Sequence, residues 1–319
     1  MTRYVIRRIL WGILLLIVVC ALTFVFFRIF PSGNPAVLRA GRDPQPKEIL
    51  EIERVLGLHK SLIVQFWDYM KEVFLHFNFG YSYYSQESVR TLVAERLPPT
   101  ISLMVGAGVL WVVLGVSVGI ISALRRHTFW DRASMGAALL AISAPEFWLG
   151  LVALLLFAND IGKVHLLPGA GTYVGLTANP GKWFTSLIMP WVVLAATGVA
   201  IYARLMRGSL IETMSEDYIR TARAKGLPER RVVRQGVRSA INPIITLLPL
   251  ELGLLVGGAV LIETVFNIPG VGRLTYNSIT DADFSVIQGT VLIAAFFIII
   301  ANIVVDILYA YLDPRVRFS

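Results

Sequence analysis

ISLMVGAGVLWVVLGVSVGIISAL, residues 101–124, carries no charged side chain along its whole length. As a helix rising 1.5 Å per residue it reaches about 36 Å, enough to cross a hydrocarbon core of roughly 30 Å. Working outward in both directions, five further apolar runs lie at 5–29, 135–157, 187–205, 244–265 and 284–312. The composition agrees, because 56% hydrophobic residues, 16% charged residues and a mean hydropathy of +0.68 are far from the balance of a soluble domain. The run at 5–29 exceeds the ~7–15 apolar residues of a signal peptide and no small-residue cleavage pattern follows it, so it is expected to stay as a span. The expected fold class is all-α and integral to the membrane, with six transmembrane helices.

Orientation follows from the Lys and Arg residues, because positive loops are retained on the cytoplasmic side. Seventeen of the 29 fall on one face if the N-terminus is inside: Arg3, Arg7 and Arg8; Arg125, Arg126 and Arg132; nine between Arg204 and Arg238; Arg315 and Arg317. Of the other twelve, eight lie in the long segment 31–97, where eight acids offset them. Both termini are therefore expected in the cytoplasm. The net charge of +8 reflects this asymmetry and attraction to anionic membrane lipid. No basic soluble domain is present, so a nucleic-acid partner is rejected.

Segment 31–97 is read as a small helical periplasmic cap between spans one and two. Ile49, Ile52, Val55 and Leu56 recur at helical spacing within 44–58, and Ile63, Phe66, Trp67 and Met70 do so within 62–74. Gly57 then Leu58 reads as a helix end, and 81–85 as a loop before a helix running through Val93 to Pro98. The single cysteine, Cys20, lies inside span one, so this cap has no intrachain disulfide.

Enzyme motifs are missing. The pairs Gly162-Lys163 and Gly181-Lys182 are followed by Val and Trp, not by the Ser or Thr of a phosphate-binding loop. His59, His76, His127 and His165 sit in four separate segments outside the spans, so no His-Glu-x-x-His metal site exists. Neither a cofactor nor a catalytic centre is expected on this chain.

The most informative loop reads ETMSEDYIRTARAKGLPERRVVRQGVRSAINP, residues 212–243. Ser215 can cap a helix whose first turn holds Glu216 and Asp217, and Lys225 falls in its last turn. Gly226 suits the left-handed residue that ends a helix, and Pro228 suits the first turn of a second helix running from Glu229 toward Ser239. Tyr218, Ile219 and Ala222 share one face. Spacing leaves two readings open: that face docks in a partner groove, or the loop rests on anionic lipid.

The run YIRTARAKGL, residues 218–227, resembles the cytoplasmic loop of permease subunits in ATP-binding-cassette importers of the dipeptide, oligopeptide and nickel group. PSGNPA from Pro31, LGL from Leu56, ERLPPTISL from Glu95, VFNIPGVGRL from Val265 and LDPRVR from Leu312 resemble that group in its usual order. The resemblance implies a type I importer fold, this chain being the first permease of the pair. It implies that Tyr218, Ile219, Arg220, Thr221, Ala222, Arg223, Ala224, Lys225 and Gly226 form the coupling helix that fits a cleft on the ATPase. The implied partners are a second homologous permease, two ATP-binding-cassette ATPase subunits that hold ATP and Mg, and a periplasmic or lipoprotein receptor. Arg220, Thr221 and Ala222 stand where the general importer signature has Glu-Ala-Ala, a form that looks typical of the peptide branch. Asn34 replaces a frequent Asp, and ADFSVIQG at 282–289 lacks the common Tyr-Pro pair, which bears on the substrate.

Carboxylates within spans cost several kcal/mol unless paired, protonated or facing a cavity. Glu146, Glu251, Glu263 and Asp306 qualify. Glu263 and Asp306 read as structural, bonding to neighbouring helices. Glu146 follows Pro145 and Glu251 follows Pro249 by two residues, so they are candidates for the translocation path, with an interhelical contact as the competing reading. The glycines from Gly253 to Gly258 fit a helix contact or a gate, and the tryptophans fit interfacial anchors. The expected organisation is a first span plus cap over 1–96, a five-helix permease core over 97–312 with the coupling loop at 212–240, and a cytoplasmic tail at 313–319. Peptides are the expected substrate, with nickel complexes or oligosaccharides as alternatives. An ion-coupled secondary transporter is the competing class; it requires inverted repeats, which the sequence does not display.

Overall fold

The computed structural model describes residues 2–28, 36, 45–55, 57–82 and 84–312. The tail at 313–319, most of PSGNPA and LDPRVR, and Leu56 lie outside them, as does the side chain of Asp306. Every long apolar run is helical over its described residues except at 144–145. The opening stretch belongs to α4 (Val89–Leu124), which begins twelve residues earlier than the predicted span and absorbs Pro98 and Pro99 without ending. Those prolines remove two backbone donors; beyond them Leu103, Ala107 and Trp111 recur every four residues and are buried.

The remaining order is α1 (Thr2–Arg28), α2 (Pro46–Val55), α3 (Leu62–Leu75), a hairpin of β1 (Tyr81–Ser82) and β2 (Glu87–Ser88), then α4. After it come α5 (Phe129–Ser143), α6 (Glu146–Phe157), α7 (Pro180–Thr213), α8 (Asp217–Ala224), α9 (Glu229–Ala240), α10 (Asn242–Val265), α11 (Val271–Thr280) and α12 (Phe284–Leu312). By length and composition α1, α4, α7 and α12 can each cross a membrane. The predicted third span is two helices, α5 and α6, bent by 111° at Ala144–Pro145. Pro145 disfavours the α conformation at the residue before it, and Ala144 is accordingly extended at ψ 132°. If that bent pair is one span, the candidates number five among the described residues. α10 covers the predicted fifth run, with Leu255–Val265 as its apolar end.

The chain forms two compact units, residues 1–97 with 274–303, and residues 98–273 with 304–319. In the first, α3 packs on the end of α1: the Phe24 ring meets Phe66 and Tyr69, and Cys20 is buried with Val73 and Leu292. Of the predicted loop at 81–85, the described residues fall in β1 at 81–82 and in the turn at 84–85. Buried Ser82 donates its hydroxyl to Asp283, which in turn accepts the Val286 N–H at the start of α12.

In the second unit α4 and α7 approach closely. A Cβ at Gly106 would overlap the Trp191 indole, and one at Gly198 would overlap that of Trp111. Both tryptophans are thus buried packing residues and not interfacial anchors, and Trp191 Nε1 donates to the Ser102 carbonyl at 2.9 Å. The close approach that small residues allow is made here; in the run from Gly253 to Gly258 only Gly258 makes one, where a Cβ would meet Glu146 and Leu194, while at Gly253 and Gly257 it would meet nothing within 4 Å.

Candidate functional site

α7 is the most deeply packed helix of its unit, and the informative loop is its direct continuation. Ser215 does not cap α8: its hydroxyl donates back to the Glu212 carbonyl at 2.6 Å, and Glu216 occupies the cap position without a side-chain bond. Asp217 lies in the first turn, at the positive end of the dipole. The far end follows the sequence closely. Gly226 has φ +74°, its N–H reaches the Arg223 carbonyl, and the Leu227 N–H returns to Ala222. This is the glycine stop that lets the chain reverse, and Pro228 then caps α9.

The faces differ from the expectation. Ile219 and Ala222 are buried against Val232 of α9, with Met214 and Leu227 closing the cluster. The apolar face of α8 is therefore covered by the chain's own next helix and is not free for a partner groove. Tyr218 donates to Ser239 at 3.1 Å, and the Arg223 guanidinium forks onto Glu229 at 2.8 and 3.3 Å. That pairing holds the Glu229 carboxyl below and the Arg223 guanidinium above its ordinary range. What faces outward is polar: Tyr218, Arg220, Thr221, Arg223, Ala224, Lys225 and Gly226 are exposed.

A second constellation escaped the sequence reading, which had only counted Arg207 among the positive charges. Asp131, in the first turn of α5, is 4% exposed. It accepts Arg207 Nε at 2.7 Å and Nη2 at 2.9 Å from α7, the Ser122 hydroxyl from α4, and the His127 N–H at 2.9 Å from the intervening turn. Four donors fill the lone-pair sites of one carboxylate.

The intramembrane acids separate into two kinds. Glu263 is fully buried and accepts the Thr100 hydroxyl at 2.6 Å and the Arg273 N–H at 2.9 Å, which satisfies the first turn of α11. It has the structural role expected of it. Glu146 is the first residue of α6, directly after the break, half-buried, with its carboxylate over Gly258 of α10, where the Leu194 side chain of α7 also reaches. Glu251 is 8% exposed, seven residues before Gly258 on the same face of α10. Sequence-distant Glu146 and Glu251 are thus brought to one helix face, about 10 Å apart along its axis. Among the described residues no three His, Cys, Asp or Glu gather as metal ligands.

Comparison with known proteins returns two families. Residues 115–318 match the binding-protein-dependent transport system inner membrane component, and residues 1–104 match the N-terminal part of such membrane components. A Brucella abortus (strain 2308) protein bearing the name of a peptide transport system permease is 38% identical over 320 residues, covering 100% of both chains. The glutathione transport system permease protein of Salmonella typhimurium (strain LT2) is likewise 38% identical over 320 residues, with 100% of both chains covered.

Proposed function

Because the chain belongs to the family of binding-protein-dependent transport system inner membrane components, we propose that it is the permease subunit of an ATP-driven importer of di- or oligopeptides. It is a multi-pass inner-membrane protein and not an enzyme. ATP and Mg act on two separate ATPase subunits, a second permease completes the path, and a periplasmic or lipoprotein receptor supplies the peptide. The observation that carries this reading is the α8–Gly226–α9 hairpin. Its apolar face is pinned to the body of the chain, while a polar tip from Tyr218 to Gly226 stands exposed at the end of a packed helix. The tip meets the ATPase through Tyr218, Arg220, Thr221, Arg223, Ala224, Lys225 and Gly226; Ile219 and Ala222 shape it from behind. Of the two path candidates, Glu146 faces the path, being half-exposed at the break, and Glu251 supports it from within the helix contact.

The test is uptake of labelled peptide into proteoliposomes holding both permeases, the ATPases and the receptor. Uptake should need ATP on the ATPase side. Accumulation driven by a proton or sodium gradient without ATP would overturn the assignment. Orientation is checked with Lys71→Cys on α3 and Arg230→Cys on α9, each in a Cys20→Ser background. Impermeant reagent should label the first from the periplasm and the second from the cytoplasm, and labelling from one side would defeat this topology.

A further inference from the structure

The loop that bears the coupling tip is continuous with α7, and α7 is fastened to two other helices at one buried point. Arg207 lies six residues before the end of α7. Its guanidinium presents a planar fork, which fixes both distance and orientation on a carboxylate where a Lys would fix only distance. Asp131 completes the fork and adds Ser122, two residues before the end of α4, and the N–H of His127 in the turn that follows α4. One carboxylate thus holds the ends of α4, α5 and α7 together. Beyond Asp131, α5 runs to the 111° break and then to Glu146 at the head of α6.

We propose that the Asp131–Arg207 pair is the joint through which displacement of the tip at Tyr218–Gly226 is passed from α7 to α4 and α5. Asp131 is a positioning residue: it touches neither substrate nor nucleotide and acts through Arg207. With the joint intact, a push on the tip moves three helix ends as one body. With it open, α4 and α7 still pack through Gly106, Gly115, Gly119 and Gly198, but the start of α5 loses its ionic link to α7, and part of the ATPase cycle is spent without moving α5 and α6. This inference rests on the coupling function proposed above.

The experiment compares three complexes in proteoliposomes with both permeases, the ATPases and the receptor: wild type, Asp131→Asn, and the exchange Asp131→Arg with Arg207→Asp. Asp131→Asn keeps the shape and the Ser122 contact but removes the charge. At equal amounts of assembled complex, peptide carried per ATP hydrolysed should fall roughly fivefold or more, the lower range of measured allosteric couplings, and the exchange should restore part of it. A merely structural pair would lower the yield of complex while leaving that ratio unchanged, and this result would overturn the proposal. Should Asp131→Asn fail to assemble, Arg207→Lys decides the question by the same ratio, since it keeps the charge and loses the planar two-bond fork on Asp131. Lys225→Glu at the tip separates the two failures. If it also transports normally, the coupling reading itself is wrong; if it is impaired while Asp131→Asn keeps a wild-type ratio, only the joint is.

Discussion

Two arginine forks of the same chemistry lie at the two ends of the stretch from α7 to α9. At the tip, Arg223 grips Glu229 six residues away, with side chains 44% and 60% exposed. At the joint, Arg207 grips Asp131 across 76 residues, with side chains 27% and 5% exposed. Water competes for the first pair and screens it, so it contributes little. The second is shielded, and removing one partner strands a charge that cannot regain its hydration. The tip is thus built by local backbone geometry and the joint by a long-range ionic contact. Disrupting each therefore requires a different kind of substitution.

The largest expected effect follows from opening the joint on its exposed side. Arg207→Ala leaves the buried Asp131 carboxylate with Ser122 and His127 as its remaining donors and no countercharge, which should destabilise the folded subunit by about 3–5 kcal/mol. Thermal unfolding of the purified complex checks this. A melting curve indistinguishable from wild type would mean that the two forks are equivalent after all, and the contrast between them would collapse.

Next in size is a substitution at the tip that touches no side chain. At Gly226 an added Cβ would meet nothing within 4 Å, so any effect comes from φ +74° alone. A β-branched residue in the left-handed region costs at least about 1–2 kcal/mol, and Gly226→Val should tilt the end of α8 to relieve it. Receptor-stimulated ATPase activity and peptide uptake should both drop while co-purification of the second permease is unchanged. Gly226→Asn, which tolerates this conformation, should restore most of both. Equal loss in Val and Asn would show that the glycine is needed for contact and not for backbone shape.

These two regions also mark how far the sequence could be read. The ends of α8 and α9 are written within a few residues: Gly226, Pro228 and the charges of the first turn each act on their own neighbours, and the fold keeps them there. The same holds for Gly57, at φ +62°, and for the sixth apolar run, whose helix spans Phe284–Leu312 as the sequence implies. Contacts between distant segments were not legible. Arg207 was one positive charge in a count and Asp131 drew no reading of its own, because nothing local distinguishes a cation that faces headgroups from one that meets a carboxylate 76 residues earlier. Ile219 and Ala222 have the spacing of a docking face, but spacing does not say that Val232 will fill the groove. Trp111 and Trp191 have the composition of interfacial anchors, yet Gly198 and Gly106 opposite them make room for the rings inside the core. The break at Ala144–Pro145 did have a local sign in Pro145, which hydropathy alone overrides because the run remains apolar on both sides.

The smallest expected effect is at the exposed fork, where it most sharpens the comparison. Glu229 is held below its ordinary 4.5 by the Arg223 hydrogen bond, so the folded chain binds its proton less readily than the unfolded one. A depressed carboxyl contributes stability that is fully present above its unfolded value and fades as the pH falls through the folded one. At neutral pH the fork is therefore at full strength, and only acid below the ordinary 4.5 of the carboxyl should weaken it. Glu229→Gln imposes the neutral form at every pH. Because both side chains are largely in water, that variant should transport peptide and couple ATPase activity as wild type does at pH 7, in contrast to Asp131→Asn. The α8–α9 hairpin keeps Ile219, Ala222 and Val232 packed beneath it, so hydrogen exchange at the Leu227 amide should be little changed in Glu229→Gln. A marked loss of coupling in Glu229→Gln would mean that the carboxylate contacts the ATPase directly, and the exposed fork would then have to be counted as part of the docking surface rather than as a brace behind it.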